Sequence, residues 1–145
     1  NILDIFAGTG AMGLEALSRS HLEEAHCVFV DSDPKAAEVI RKNIGTCKEE
    51  DRSEVLTADA LKAISILAND KRTFELVVMD APYNNEELTS KVLLALSKSS
   101  ILSSEALIIC ETSLEVELQE TQGLQLLKEK AYGDTKVSFF LKDKD

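Results

Sequence analysis

Two periodicities alternate along this chain. Short, nearly continuous apolar runs suit strands buried on both faces. They predict strands at Asn1–Phe6, His26–Val30, Ser53–Thr57, Phe74–Met79 and Ala106–Cys110. Between them, apolar residues recur every three or four positions, which predicts helices at Ala11–Arg19, Pro34–Ile44, Ala60–Ala68 and Glu86–Lys98. The first has Met12, Leu14, Ala16 and Leu17 available for burial. The last carries Leu88, Val92, Leu93 and Leu96 on one stripe. The second has its boundaries written in: Asp33 suits the N-cap, Pro34 the first helical position and Gly45 the position after the end. Lys48–Glu54 is polar and predicts an exposed loop, and Leu114–Glu120 predicts a short helix. Leu124–Lys130 and Thr135–Leu141 predict a hairpin turning at Tyr132-Gly133-Asp134.

Strand–helix repetition predicts an α/β fold, a mostly parallel sheet with helices on both faces, and the closing hairpin adds antiparallel pairing at one edge. At 145 residues, with no repeat, low-complexity tract or long linker, the chain reads as one domain. It opens inside a buried-looking strand without a methionine, so we expect a fragment preceded by an N-terminal segment.

Charge and cysteine content narrow the function classes. Sixteen Lys and Arg against 26 Asp and Glu give a net charge of −10. That argues against the surface acting alone as a strong polyanion binder, because phosphate contacts come mainly from clustered basic side chains. A local basic face stays open. The apolar runs are too short to span a membrane, and no signal peptide is visible. Cys27, Cys47 and Cys110 lack C-x-x-C spacing, and Cys27 and Cys110 fall inside strands. They read as buried apolar residues of a reducing, cytoplasmic protein, and no metal site is expected. His21 and His26 read as structural.

The candidate chemistry begins at Gly8-Thr9-Gly10-Ala11-Met12-Gly13, a G-x-G-x-x-G between a strand and a helix. Glycines there permit a sharp turn and close approach of a ligand to the backbone. Asp31 ends the second strand, where a carboxylate can accept from both hydroxyls of a ribose. Asp33 is assigned the helix cap. Together these point to a nucleoside cofactor, with NAD and S-adenosylmethionine both open. Asp4, a carboxylate inside the first strand, suits the cationic amino-acid end of a sulfonium cofactor, or it pins the loop by accepting backbone N–H bonds. Asp59, in Ala58-Asp59-Ala60, can accept from an adenine amine or cap the helix that follows.

Strand four ends in Asp80-Ala81-Pro82-Tyr83. In open parallel sheets ligands bind beyond the carboxyl ends of the strands, which places this turn beside the glycine loop. A carboxylate and backbone carbonyls there can hold both hydrogens of an exocyclic amine, and Tyr83 offers a flat face for a base.

Asp4 through Arg19, Val28 through Asp31, Asp80-Ala81-Pro82-Tyr83 and Tyr132-Gly133-Asp134-Thr135 resemble, along the whole chain, the RsmD-type methyltransferases. The resemblance implies a Rossmann-like methyltransferase fold, a seven-stranded sheet with a reversed edge hairpin. It implies S-adenosylmethionine as cofactor and the N2 amine of a guanine in small-subunit (16S) ribosomal RNA as target, free or in the pre-assembled small subunit. It implies cofactor contacts from Asp4, Phe6, Ala7, Gly8, Thr9, Gly10, Gly13, Asp31, Ser32, Asp59 and Ala60. It implies catalytic positions at Asp80, Ala81, Pro82 and Tyr83, corresponding to the Asp/Asn-Pro-Pro-Tyr motif of amino methyltransferases. The departure is Ala81 in place of the first proline. Pro82 still restricts Ala81 to extended geometry. The family's basic segment before the first strand does not occur in this sequence. Two alternatives stand beside this reading. One is an NAD-dependent oxidoreductase, for which no Tyr/Lys or His pair is visible. The other is a non-catalytic binding module that keeps the cofactor pocket.

Overall fold

The computed structural model describes residues 1–82 and 85–144. Seven strands form one sheet: β1 (Ile2–Ile5), β2 (Cys27–Asp31), β3 (Ser53–Thr57), β4 (Phe74–Asp80), β5 (Leu102–Ser113), β6 (Leu124–Tyr132) and β7 (Thr135–Lys142). Their spatial order is β3-β2-β1-β4-β5-β7-β6. The first five run parallel, and β7 pairs antiparallel with both β5 and β6. This is the expected mostly parallel sheet with a reversed hairpin at its edge.

Among the described residues, four helices cover the sheet: α1 (Ala11–Arg19), α2 (Pro34–Thr46), α3 (Ala60–Asn69) and α4 (Glu86–Lys98). Alternation along the strands sorts them onto two faces. Leu3, Ile5, Val28, Val30, Val77 and Met79 pack against the buried stripes of α3 and α4. Ile2, Cys27 and Phe29 pack against Leu14 and Leu17 of α1 and Ile40 and Ile44 of α2. Asp4 lies between Leu3 and Ile5, so its side chain emerges on the α1 side. The strand order reverses between β1 and β4, whose carboxyl ends therefore open a crevice, the place where such sheets bind ligands.

Local signals held at α2, where Pro34 occupies the first turn and the Asp33 carboxylate accepts from the Lys35 N–H at 2.9 Å. They failed at its other end. The helix runs through Gly45 to Thr46, and Lys48, at φ 57°, takes the left-handed position. Lys48 and Glu49 donate back to the carbonyls of Gly45 and Ile44, closing the helix by backbone bonds that need no glycine. The expected loop at 48–54 contains a 3-10 turn, Glu50–Arg52, and the start of β3.

The expected helix at Leu114–Glu120 is not there. Two turn residues are followed by irregular chain. Leu114, Val116 and Leu118 alternate with glutamates at a period of two, so a helix would not gather them on one face. Instead Val116 is buried, and its carbonyl accepts from Lys136 Nζ. Strand β5 is longer than its apolar run, because Glu111, Thr112 and Ser113 find partners in Val137, Lys136 and Thr135 of β7. Cys27 and Cys110 are buried in strands as expected, and Cys47 is exposed. No helix among the described residues is long and apolar enough to cross a membrane.

Candidate active site

The loop after β1 is built by hydrogen bonds to its own backbone. Phe6 leaves the strand at φ 60°, a left-handed conformation that costs a bulky residue energy and turns the chain sharply. The Ala7 N–H then donates to the Val30 carbonyl, and the Gly8 N–H donates to Asp31 Oδ2 at 2.9 Å. The other Asp31 oxygen accepts from the Asp33 N–H at 3.0 Å. Asp31 thereby ties the glycine loop to the start of α2. A carboxylate has about four acceptor positions, so both oxygens keep capacity for ligand hydroxyls. Gly10, at φ 83°, caps α1.

Gly13 serves a different end. A Cβ there would stand 2.5 Å from a Phe29 ring carbon and 2.9 Å from both Asp4 Oδ2 and Cys27 Sγ. Its absence lets α1 sit directly on β1 and β2, and lets the Gly13 N–H donate to Asp4 Oδ2 at 2.9 Å. Asp4 is 1% exposed. Burial pushes its pKa up to about 7. The Gly13 bond opposes that rise, and the carboxylates of Asp80 and Asp31 add to it. Of the two roles open to Asp4, pinning the loop is the one seen in this geometry.

Two cavities open at the crevice. The first, about 340 Å³, is lined by Asp31, Ser32, Asp59 and Ala60 together with Phe6, Val30, Ala58, Leu61, Asp80, Pro82 and Leu88. Carboxylates at Asp31 and Asp59 face apolar walls, a lining that suits a nucleoside: hydroxyls at one end, a flat heterocycle between aliphatic side chains. Asp59 also caps α3, its Oδ1 accepting from the Lys62 N–H at 3.0 Å, which is the capping reading of that residue. The second cavity, about 440 Å³, is lined by Phe6, Gly8, Asp80, Ala81, Pro82, Glu111, Thr112, Ser113, Asp134 and Thr135. Phe6, Asp80 and Pro82 belong to both linings and form the wall between them. Burial raises the pKa of Asp80. That of Glu111 is raised by burial and then by the Asp80 charge. The second cavity is rich in acceptors and fits a ligand that presents N–H groups.

The structure thus gathers Phe6, Asp31, Ser32, Asp59, Ala60, Asp80 and Pro82 at the first cavity, and Gly8 and Ala81 at the second. Asp4, Ala7, Gly10 and Gly13 line neither. Thr9 turns toward a separate groove between α1 and α2, where its carbonyl accepts from Asn43 Nδ2 at 2.8 Å. Tyr83 lies outside the described residues. Sequence reasoning missed Glu111 and its neighbours, although a signal existed. Like Asp31 and Asp80, Glu111 is a carboxylate closing an apolar strand at its carboxyl end.

Comparisons with known proteins agree with this fold. The family described as conserved hypothetical protein 95 matches residues 1–141. YlbH of Bacillus subtilis, provisionally named an rRNA methyltransferase, is 35% identical over 141 residues, covering 97% of this chain and 74% of that protein. Ribosomal RNA small subunit methyltransferase D of Haemophilus influenzae is 32% identical over 132 residues, covering 90% of this chain and 66% of its own length. A solved structure of a conserved hypothetical protein from Streptococcus pyogenes superposes with a TM-score of 0.86 at 35% identity, over 98% of this chain and 85% of that one.

Proposed function

The chain belongs to the RsmD-type family of ribosomal RNA methyltransferases, and from that premise we propose that it methylates the N2 amine of a guanine in small-subunit ribosomal RNA, with S-adenosylmethionine as donor. The observation that carries this reading is the shared wall. Asp80 and Pro82 line both the cavity that holds Asp31 and Asp59 and the acceptor-rich one, as a residue joining donor and acceptor sites must.

The residues of the first cavity fit the cofactor by their chemistry. Asp31 would hold the ribose hydroxyls, Asp59 would accept from the adenine amine, and Val30, Leu61 and Leu88 would cover the ring. When bound, S-adenosylmethionine supplies an electrophilic methyl group. The protein's own part is positioning. A guanine leaves its stack to enter the second cavity. Asp80 and nearby carbonyls accept the amine hydrogens, which orients the nitrogen and leaves its lone pair uncommitted. Pro82 keeps the preceding Ala81 extended, holding those carbonyls in place. Orientation of this kind can lower a barrier by roughly 7–11 kcal/mol. The raised pKa of Asp80 suits it to take up the proton that the methylated nitrogen then loses. A nicotinamide reading uses Asp31 equally well but leaves Asp80 and the second cavity without a task.

Calorimetric titration with S-adenosylhomocysteine and with NADH, alongside transfer of labelled methyl groups to small ribosomal subunits, tests the proposal. Homocysteine-nucleoside binding without NADH binding is expected. Asp80→Ala should keep that affinity and cut transfer roughly 100-fold or more. Loss of cofactor affinity in a folded Asp80→Ala protein would contradict the role given to Asp80.

A further inference from the structure

Of the Tyr132-Gly133-Asp134-Thr135 turn, Asp134 and Thr135 line the second cavity, and Tyr132 stands outside it, 59% exposed. Antiparallel pairing sets Tyr132 opposite Thr135, Lys130 opposite Val137 and Lys128 opposite Phe139. Directly opposed residues share a face of the sheet, with Cβ atoms roughly 5 Å apart. The Lys128 side chain bears this out, its Nζ lying 4.8 Å from the centroid of the Phe139 ring. On β5, Glu111 and Ser113 pair with Val137 and Thr135, so these cavity residues share that face too. Tyr132, Lys130 and Lys128 therefore form one stripe that leads away from the cavity along β6. The stripe is open. Lys128 and Lys130 are exposed and form no ion pair among the described residues. The apolar core beneath α1 and α2, on this side of the sheet, includes no residue of β5, β6 or β7.

Resting on the ribosomal RNA reading above, we propose that this stripe is the docking track for the RNA strand that carries the target base. A base that leaves its stack uncovers the face of its neighbour. Tyr132, across one strand pair from the cavity residue Thr135, stacks on that uncovered base. Lys130 and Lys128 meet phosphates of the nucleotides beyond it. Charge divides the strand between the two places. Asp80 and Glu111 in the cavity accept N–H groups and repel phosphate. The stripe carries two cations and no acid, because Glu129 turns to the opposite face, where it lies 3.2 Å from Lys136 Nζ. The backbone is thus held on the hairpin while only the base enters the cavity. Phosphate contacts and stacking position a strand without reading its sequence, so the choice of base stays with the cavity. This is how a chain of net charge −10 holds a polyanion: through a local face of the other sign.

The test uses full-length protein and small ribosomal subunits, with binding and methyl transfer measured from about 50 mM to about 200 mM salt. Replacing both lysines, Lys128→Gln with Lys130→Gln, should flatten the slope of log affinity against log salt by about 1.4, at about 0.7 for each phosphate contact to a single strand. Arg41→Gln with Lys42→Gln removes the same charge from an exposed part of α2 and should leave that slope unchanged. Tyr132→Ala should weaken subunit binding roughly 5- to 100-fold, the loss of one stacked base, and Tyr132→Phe, which keeps the ring, should recover it. The stripe variants should keep wild-type Tm and S-adenosylhomocysteine affinity, which a merely structural role would not. Equal slopes in wild type and the lysine variant, an equal loss of slope in the α2 variant, or wild-type binding by Tyr132→Ala overturns the proposal. So does loss of S-adenosylhomocysteine affinity in a folded stripe variant. If wild type neither binds nor methylates small subunits, the ribosomal RNA reading itself falls and the proposal with it.

Discussion

Replacing Asp4 by asparagine should make the protein more stable at neutral pH and remove most of its pH dependence between pH 4 and pH 7. Asp4 is 1% exposed beneath α1, and its carboxyl titrates at about 7 in the folded chain against 3.8 ordinarily. Between those values the native state holds a proton that the unfolded chain has released. Unfolding free energy therefore falls as pH rises through this window, and the loss is complete just above pH 7. Three pKa units correspond to about 4 kcal/mol at an order-of-magnitude level. Asparagine keeps the shape and one oxygen to accept the Gly13 N–H, but carries no charge to desolvate. Urea denaturation of both proteins from pH 4 to pH 8 measures the difference. The curves should nearly meet at pH 4 and separate by up to about 4 kcal/mol at pH 8, with Asp4→Asn the more stable. Parallel pH profiles, or a mutant weaker at pH 8, would show that Asp4 is held charged by partners, and the account of its burial would be wrong.

Gly13→Ala should destabilise the fold by about 1–3 kcal/mol in the same denaturation assay, because its methyl meets Phe29, Cys27 and Asp4 within 3 Å; an unchanged midpoint would mean that α1 shifts freely on the sheet. S-adenosylhomocysteine at 100 times its dissociation constant should stabilise wild type by about 2.7 kcal/mol. Asp31→Ala should weaken its binding by roughly 1–3 kcal/mol, and equal thermal shifts in both proteins would refute the ribose contact. Methyl transfer should fall as pH is lowered, along a limb above the ordinary aspartate value of 3.8, because burial raises the pKa of Asp80, and its charged form is the stronger acceptor for the amine hydrogens and the form able to take up a proton. Full activity down to that value would remove Asp80 from the chemistry.

What was legible in the sequence was what local pattern determines. The apolar runs of β1, β2 and β4 and the glycines between β1 and α1 specify a crevice at a known place in a parallel sheet, so Asp31 and Asp80 could be placed before any coordinates. What was not legible depends on pairing between distant segments. Glu111, Thr112 and Ser113 continue β5 only because β7 returns alongside them, and their share of the second cavity follows from that return. Leu114–Glu120 has helix-forming residues but a period of two, and the burial of Val116 beside Lys136 decides its path. Gly45 looked like a helix end because glycine is common there. Lys48 takes the left-handed position instead, and backbone bonds from Lys48 and Glu49 close the helix. Gly13 shows the converse case: the motif glycine is legible in the sequence, and the structure adds a packing reason for it, the close approach of α1 to Phe29.

The most direct test of the central claim is mass-spectrometric mapping of N2-methylguanosine in small-subunit ribosomal RNA from cells lacking the gene, complemented with wild type or with Asp80→Ala. One modified position should vanish on deletion, return with wild type and stay absent with Asp80→Ala. An unchanged map in the deletion strain, or full restoration by Asp80→Ala, would contradict the account of a guanine amine held at the wall between the two cavities.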